Sequence, residues 1–299
     1  MVYNIHLNMR KINKIINPLK MSQKSVLDYV DIDPNLLKEK DSWYLVNSRV
    51  SFFKKRGDVR IAGECISKAY ATALGNDTAS YEVVELEEKV GLLSENFHDK
   101  SRFGYYDFCQ LHQLFPSLPQ RYNYFTLKEI LDTFGYHYDE EITHNLQYSL
   151  IERYMFEWFT HQLDGNPRNT NFKLDKDSQL LQLGPVFDKE QSFGVNENGL
   201  FDEKKLEMWM PSIPYDDLSF RDKPYQIDGL DANILSLIMD YPDMSVEILE
   251  KIFQIDYMSI LRKFRSGENA FNLPPETLSY LQGVVDRKKN EKEKILQLV

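Results

Sequence analysis

Cysteine is nearly absent from this chain: Cys65 and Cys109 are the two among 299 residues. They make no disulfide framework, no C-x-x-C pair occurs, and the six histidines are scattered, which excludes a structural zinc site of the usual spacing. Cys65 falls on an apolar helical stripe and reads as a small buried residue. Glycine is sparse as well, with 13 residues, and the stretch 31–42 contains none. A glycine-rich phosphate loop ahead of Lys54 is therefore excluded. A basic excess is also missing. The net charge of −10 and pI near 5.2 rule out a nucleic-acid-binding surface over the whole molecule and leave room only for a local basic groove. Long apolar runs are lacking too. Residues 1–22 carry basic side chains without the apolar centre of a signal peptide, and no run approaches the length of a membrane-spanning helix. The expected location is cytoplasmic, with no membrane and no direct nucleic-acid partner.

What is present is a large stock of core-forming residues. Hydrophobic content is 42%, including 18 Phe and 18 Tyr, which marks a folded globular protein. The length suits one two-lobed unit or two domains. No internal repeat or low-complexity tract interrupts it.

The most informative stretch is His161-Gln-Leu-Asp-Gly-Asn-Pro-Arg-Asn169, followed by Gly184-Pro-Val-Phe-Asp188. It places Asp164, then Asn169, then Asp188. A kinase supplies in that order a base for the substrate hydroxyl, a metal-binding amide and a metal-binding carboxylate. Phosphoryl transfer needs positioning and charge neutralisation more than covalent help, and these side chains suit that work around Mg²⁺. An isolated D-x-x-x-x-N is common, because Asp and Asn both favour turns. The later Asp, across a hairpin, raises its specificity. Upstream, Leu146, Leu150, Ile151, Tyr154, Met155 and Trp158 line one face of a helix, with Gln147, Glu152, Arg153 and Glu157 on the other. Gly165 and Pro167 are expected to break that helix beside Asp164. Asn171-Phe-Lys-Leu174 and Gln179-Leu-Leu-Gln-Leu183 read as two short strands around a turn, leading to Asp188.

At these residues the sequence resembles the HipA-like kinases, in particular their compact bacterial and phage members. The family's catalytic segment, N-x-D-R-H-x-x-N, resembles Gln162-Leu-Asp-Gly-Asn-Pro-Arg-Asn169, and its metal segment, L-A-P-L-F-D-x-G-x-S, resembles Leu183-Gly-Pro-Val-Phe-Asp-Lys-Glu-Gln-Ser192. Gly165 and Asn166 replace the family's Arg and His, and Lys189-Glu190-Gln191 precedes Ser192 where the family differs. The resemblance extends more weakly over residues 45–195. Val50-Ser-Phe-Phe-Lys54 is similar to the strand carrying the ATP-phosphate lysine, with Lys55 the fallback. Gly63-Glu-Cys-Ile-Ser-Lys68 is similar to a helix opening whose Glu64 either pairs with Lys54 or favours the helix dipole from a first turn. Tyr81-Glu-Val-Val-Glu-Leu86 reads as a strand, and Gly91-Leu-Leu-Ser-Glu-Asn-Phe97 is similar to the strand and hinge beneath adenine, with Glu95 and Phe97 at the base.

The resemblance implies an α+β, two-lobed protein-kinase-like fold with a small β-rich N-lobe and a mostly helical C-lobe. The boundaries are an N-terminal extension at 1–35 with some helical character, an N-lobe at 36–123 and a C-lobe at 124–299, parted at the Pro-containing segment 115–120. It implies ATP and Mg²⁺, with Asp164 and Lys54 catalytic, Lys54, Glu64, Glu95 and Phe97 toward the nucleotide, and Asn169 and Asp188 on metal. It implies a serine/threonine protein substrate and, through the family's toxin–antitoxin biology, an antitoxin or regulatory protein. Two other readings stand beside it: a kinase of lipids or small molecules, and a pseudokinase serving as a nucleotide-binding interaction module.

Smaller features follow. His161 resembles the H-x-D of other kinases, or is structural. Thr126-Leu-Lys-Glu129 reads as a capping box. Helices are expected near 62–74, 230–240, 245–254, 256–265 and 275–297, the first stopped by Gly75 and the last presenting a solvated charged face over 286–294. Phe103, Tyr105, Tyr106 and Phe108 read as core or hinge lining.

Overall fold

β-Branched and aromatic residues dominate the chain on either side of the first long helix, and there they pair into a sheet. In the computed structural model the described residues are 2–3, 43–46, 49–56, 58–86, 89–118, 126–162, 167–196, 201–202, 215, 226–227, 230–265, 273 and 275–298. Strands β2 (Trp43–Val46), β3 (Arg49–Lys55), β4 (Tyr81–Leu86) and β5 (Lys89–Glu95) form an antiparallel sheet in the order β2-β3-β5-β4. Gly91 of β5 faces Lys55 on one side and Val84 on the other. A Cβ there would collide with the Lys54 carbonyl oxygen and lie 2.7 Å from the Phe53 ring. Close approach of β3 to β5 therefore requires glycine at 91.

Helix α1 (Asp58–Ala73) joins β3 to β4. It begins four residues before the expected 62, with Asp58 in its first turn favouring the positive end of the helix. It ends as expected at Gly75, whose φ of 86° lets its N–H reach Thr72 and the Asn76 N–H reach Ala71.

The C-terminal part is mostly helical: α2 (Leu127–His137), α3 (Glu140–Phe159), α4 (Ala232–Asp240), α5 (Pro242–Gln254), α6 (Tyr257–Arg265) and α7 (Pro275–Leu296). The expected capping box is present, with Thr126 accepting from the Glu129 N–H and Glu129 accepting from the Thr126 N–H. A second antiparallel sheet runs β6 (Phe103–Asp107), β7 (Asn171–Asp175), β8 (Leu181–Leu183), adjacent in that order. Because β6 pairs with β7, the change of sheet falls between Glu95 and Phe103, ahead of the 115–120 segment expected to part the lobes. Pairing partners, not proline, set where the strand belongs. Four two-residue strands complete the described elements: β9 (Phe201–Asp202), which pairs with β1 (Val2–Tyr3), and β10 (Gln226–Ile227), which pairs with β11 (Leu230–Asp231). The helical character expected elsewhere in 1–35 lies outside the described residues.

One apolar core runs from α1 through α3 to α7. At its centre Tyr70 of α1 meets Phe159 of α3, Tyr257 of α6 and Phe193, with ring centroids 4.4 to 6.3 Å apart. The charged face expected over 286–294 is at least partly exposed except at Lys288, whereas the polar face of α3 is buried toward its C-terminal end. Every residue from Leu150 to Phe159 is buried, including Glu152, Arg153 and Glu157, because α3 is packed on all sides. The two carboxylates are matched: Glu152 takes Lys251 and Asn76, and Glu157 takes Lys189. Arg153 donates to the Gly184 carbonyl at 3.0 Å, while its Nε and Nη1 make no hydrogen bond among the described residues. In α7, Lys288 is 4% exposed, pairs with Glu291 at 2.8 Å and places its ammonium 4.3 Å over the Trp158 ring.

Gly91→Ala is expected to destabilise the protein by about 2 kcal/mol or more through this overpacking, read as a lowered denaturant midpoint with unchanged slope.

Candidate active site

Alternation along β3 buries Phe53 and leaves Lys54 toward a cleft, where its ammonium meets Asp188 at 2.6 Å across 134 residues of sequence. Lys54 is thus not a solvated strand end. The cleft is a cavity of about 790 Å³, within the range of small-molecule sites. Its walls include β3 (Lys54), α1 (Glu64), the end of β5 (Glu95) and the segment after it (Phe97), and the segment 187–188. Four of the residues expected around a nucleotide, Lys54, Glu64, Glu95 and Phe97, therefore share one cavity with Asp188.

Asp188 opens a run of three charged residues, each paired with a different element. Asp188 takes Lys54 of β3. Lys189, 1% exposed, takes Glu157 of α3. Glu190 takes Arg56 and, at 3.2 Å, Arg60 of α1. Asp188 itself lies in the left-handed region, at φ 56°. Upstream, Val186 exchanges backbone bonds with Asp77 and Ala79, and Gly184 donates to the Asn171 carbonyl at 2.7 Å, so the approach to Asp188 is fixed by the connection between α1 and β4 and by β7.

Glu64 does not form the expected ion pair with Lys54, which is engaged by Asp188. Nor is it a first-turn residue, since α1 begins at Asp58. It is 3% exposed, and burial, reinforced by the Asp188 charge, pushes its carboxyl up to about 7 against the partial opposition of Tyr81, Lys54 and Lys189. The buried Tyr81 hydroxyl faces Glu64 electrostatically but falls short of hydrogen-bond geometry, and burial with that neighbour raises it well above its ordinary value.

Helix α3 stops sooner than Gly165 and Pro167 suggest. His161 adopts φ 52° and donates its N–H to Trp158, while the Gln162 N–H reaches back to Glu157. This is a left-handed helix stop with histidine where glycine is usual. His161 is a buried corner of the chain. Asp164 lies outside the described residues, as does the side chain of Lys55. Asn169, in a single 3₁₀ turn (Pro167–Asn169), is buried but not among the cavity walls; Asn171, two residues on at the start of β7, is.

Several wall residues escaped sequence reasoning. Arg168, Asn171 and Phe187 sit within or beside the motifs but carry no spacing signal of their own. His98 lines the cavity between Phe97 and Tyr105, with ring centroids 4.6 and 4.4 Å away, and burial, then Lys100, hold its imidazole down near 4. Tyr105 donates its hydroxyl to the Phe97 carbonyl at 3.1 Å and accepts from the Asp99 N–H, fixing the turn between the two sheets. Of the aromatic group read as core or hinge lining, Phe103 and Tyr105 line the cavity and Phe108 is in the core.

The fold that carries this cavity is similar to that of a kinase of known structure. The Helicobacter pylori proinflammatory kinase CtkA superposes with a TM-score of 0.61, covering 90% of this chain and 97% of that one at 13% identity. The two share a fold. A chain of the Shewanella oneidensis MR-1 complex of HipA, HipB and operator DNA is similar at a TM-score of 0.49 and 14% identity, covering 83% of this chain and 58% of that chain. No family model and no curated protein matches the sequence. Among the described residues no helix is long and apolar enough to cross a membrane.

Two outcomes follow from the site. Lys189→Met strands the buried Glu157 carboxylate and is expected to cost about 3–5 kcal/mol, measured by denaturant unfolding. Folded Glu64 holds its proton to about pH 7, against an ordinary value of 4.5. Between those values the folded state binds more protons than the unfolded one, so this group's contribution to stability falls as pH rises through that window and is flat above it. Glu64→Gln is expected to flatten the fall, read from melting temperatures between pH 4.5 and 8.

Proposed function

We propose that this chain is an ATP- and Mg²⁺-dependent phosphotransferase acting on a serine or threonine hydroxyl of a protein. The observation that carries the reading is the Lys54–Asp188 pair inside a cavity of about 790 Å³. The two neutralise each other in the absence of ligand. A polyphosphate chain with its cation offers each a partner of the charge it now has, an anion for Lys54 and a cation for Asp188.

The donor set suits Mg²⁺. Among the described residues no three His, Cys, Asp or Glu side chains cluster as a metal cage. One carboxylate with a nearby asparagine amide, completed by phosphate oxygens and water, is what Mg²⁺ accepts. Asp188 holds it, with Asn169 the amide implied by motif and Asn171 the amide at the cavity wall. When bound, the ion neutralises charge on the phosphates. Lys54 steadies phosphate as a point charge. Glu95 and Phe97, with His98 neutral beside them, bound the end where a base would lie. Asp164 orients the acceptor hydroxyl and takes its proton. The shared fold with a kinase supports the assignment, and an acidic surface overall is compatible with it.

Incubation with γ-labelled Mg-ATP and a generic protein acceptor tests this. Wild type is expected to label itself or the acceptor, and Asp188→Asn to reduce the rate by about 10²-fold or more. Stabilisation by Mg-ATP without any transfer identifies a pseudokinase module. Neither transfer nor stabilisation overturns the nucleotide reading altogether.

A further inference from the structure

Asp188 has a second buried polar tether besides Lys54. Gln162, 2% exposed, donates its side-chain N–H to the Asp188 carbonyl at 3.2 Å and accepts at its side-chain oxygen from the Ser192 hydroxyl at 2.8 Å. Ser192 is fully buried. The Asp188 carbonyl can only accept, so the amide nitrogen must face it, and the oxygen is left for the Ser192 hydroxyl. Through its backbone the same residue closes α3, its N–H bonding the Glu157 carbonyl at 3.0 Å. The Glu157 side chain in turn holds Lys189. One residue thus joins the end of α3 to both ends of the turn 188–192. Asp188 occupies a left-handed conformation that a non-glycine residue keeps only where its surroundings over-determine it.

The geometry points to Gln162 as a positioning residue that holds the Asp188 backbone and so sets its carboxylate at the cavity wall opposite Lys54; this role rests on the phosphotransferase reading. A primary amide suits the position because it offers a donor and an acceptor in fixed opposition. Gln162→Glu keeps the shape and the bond from Ser192 but has no N–H for the Asp188 carbonyl. Ser192→Ala keeps that N–H but releases the amide to rotate. His161, the neighbour that motif spacing singles out, makes the helix stop instead.

The experiment compares wild type, Gln162→Glu and Ser192→Ala in two assays. The first is thermal stabilisation by ATP, with Mg²⁺ and with EDTA. The second is steady-state transfer from Mg-ATP. The expected result is metal-free ATP binding within about twofold of wild type and a half-saturating Mg²⁺ concentration raised about tenfold. With it, kcat falls 10- to 100-fold while the KM for ATP changes little. Ser192→Ala shifts the same quantities in the same direction by less. Gln162→Met, with no charge to bury, replaces Gln162→Glu if the latter does not fold. Folded variants with wild-type Mg²⁺ dependence and kcat overturn the role. So does a loss of metal-free and metal-dependent binding in equal measure, which marks a purely structural residue. A wild type that binds Mg-ATP but transfers nothing sinks the phosphotransferase reading, while the Mg²⁺ readout still decides the role of Gln162. A wild type blind to Mg-ATP sinks both.

Discussion

Three consecutive charged side chains hold this site together. Asp188, Lys189 and Glu190 alternate in sign, and each meets an opposite charge from a different element: β3, α3, and the β3–α1 corner. Lys189 and Glu190 are buried, and a buried charge is tolerable only when paired. The pairings therefore leave the segment little choice of path. With residues 189 and 190 anchored, Asp188 is left at the cavity wall in the left-handed region, which aspartate enters more readily than most side chains.

The same run welds the sheet-bearing N-terminal part to the helical remainder. Gly63 of α1 approaches so closely that a Cβ there would lie 3.1 Å from the Glu190 carbonyl oxygen. Beneath it the Tyr70, Phe159, Phe193 and Tyr257 rings interlock α1, α3, α6 and the turn after Glu190. Dense packing transmits small displacements. The carboxylate expected to hold metal is accordingly set by the core as well as by its immediate neighbours.

Local chemistry was legible in the sequence. The strand around Lys54, the strand 81–86, the hairpin before Asp188, the Thr126 capping box, the Gly75 stop and four C-terminal helices all depend on residues within a few positions of one another. The meeting of Lys54 with Asp188 was legible only through motif order, because no local rule reaches across 134 residues. What misled was local as well. Gly165 and Pro167 are strong helix breakers, yet α3 ends earlier at a histidine held left-handed by its surroundings. Glu152 and Glu157 fall opposite the apolar stripe of their helix and Lys288 in a run read as solvated, yet each is buried against a partner distant in sequence or an aromatic ring.

By itself the sequence determined which segments are strands and helices, and which acidic, amide and lysine side chains are available for phosphate and metal chemistry. Those properties follow from backbone preference and side-chain type, which act over a few residues. The tertiary structure alone decided that Lys54 answers Asp188 and not Glu64. It also decided that Asn171 reaches the cavity wall, and that Gln162 touches the Asp188 backbone. These are choices among partners of equal chemical competence. Distance and burial separate them, and both exist only once the elements have packed.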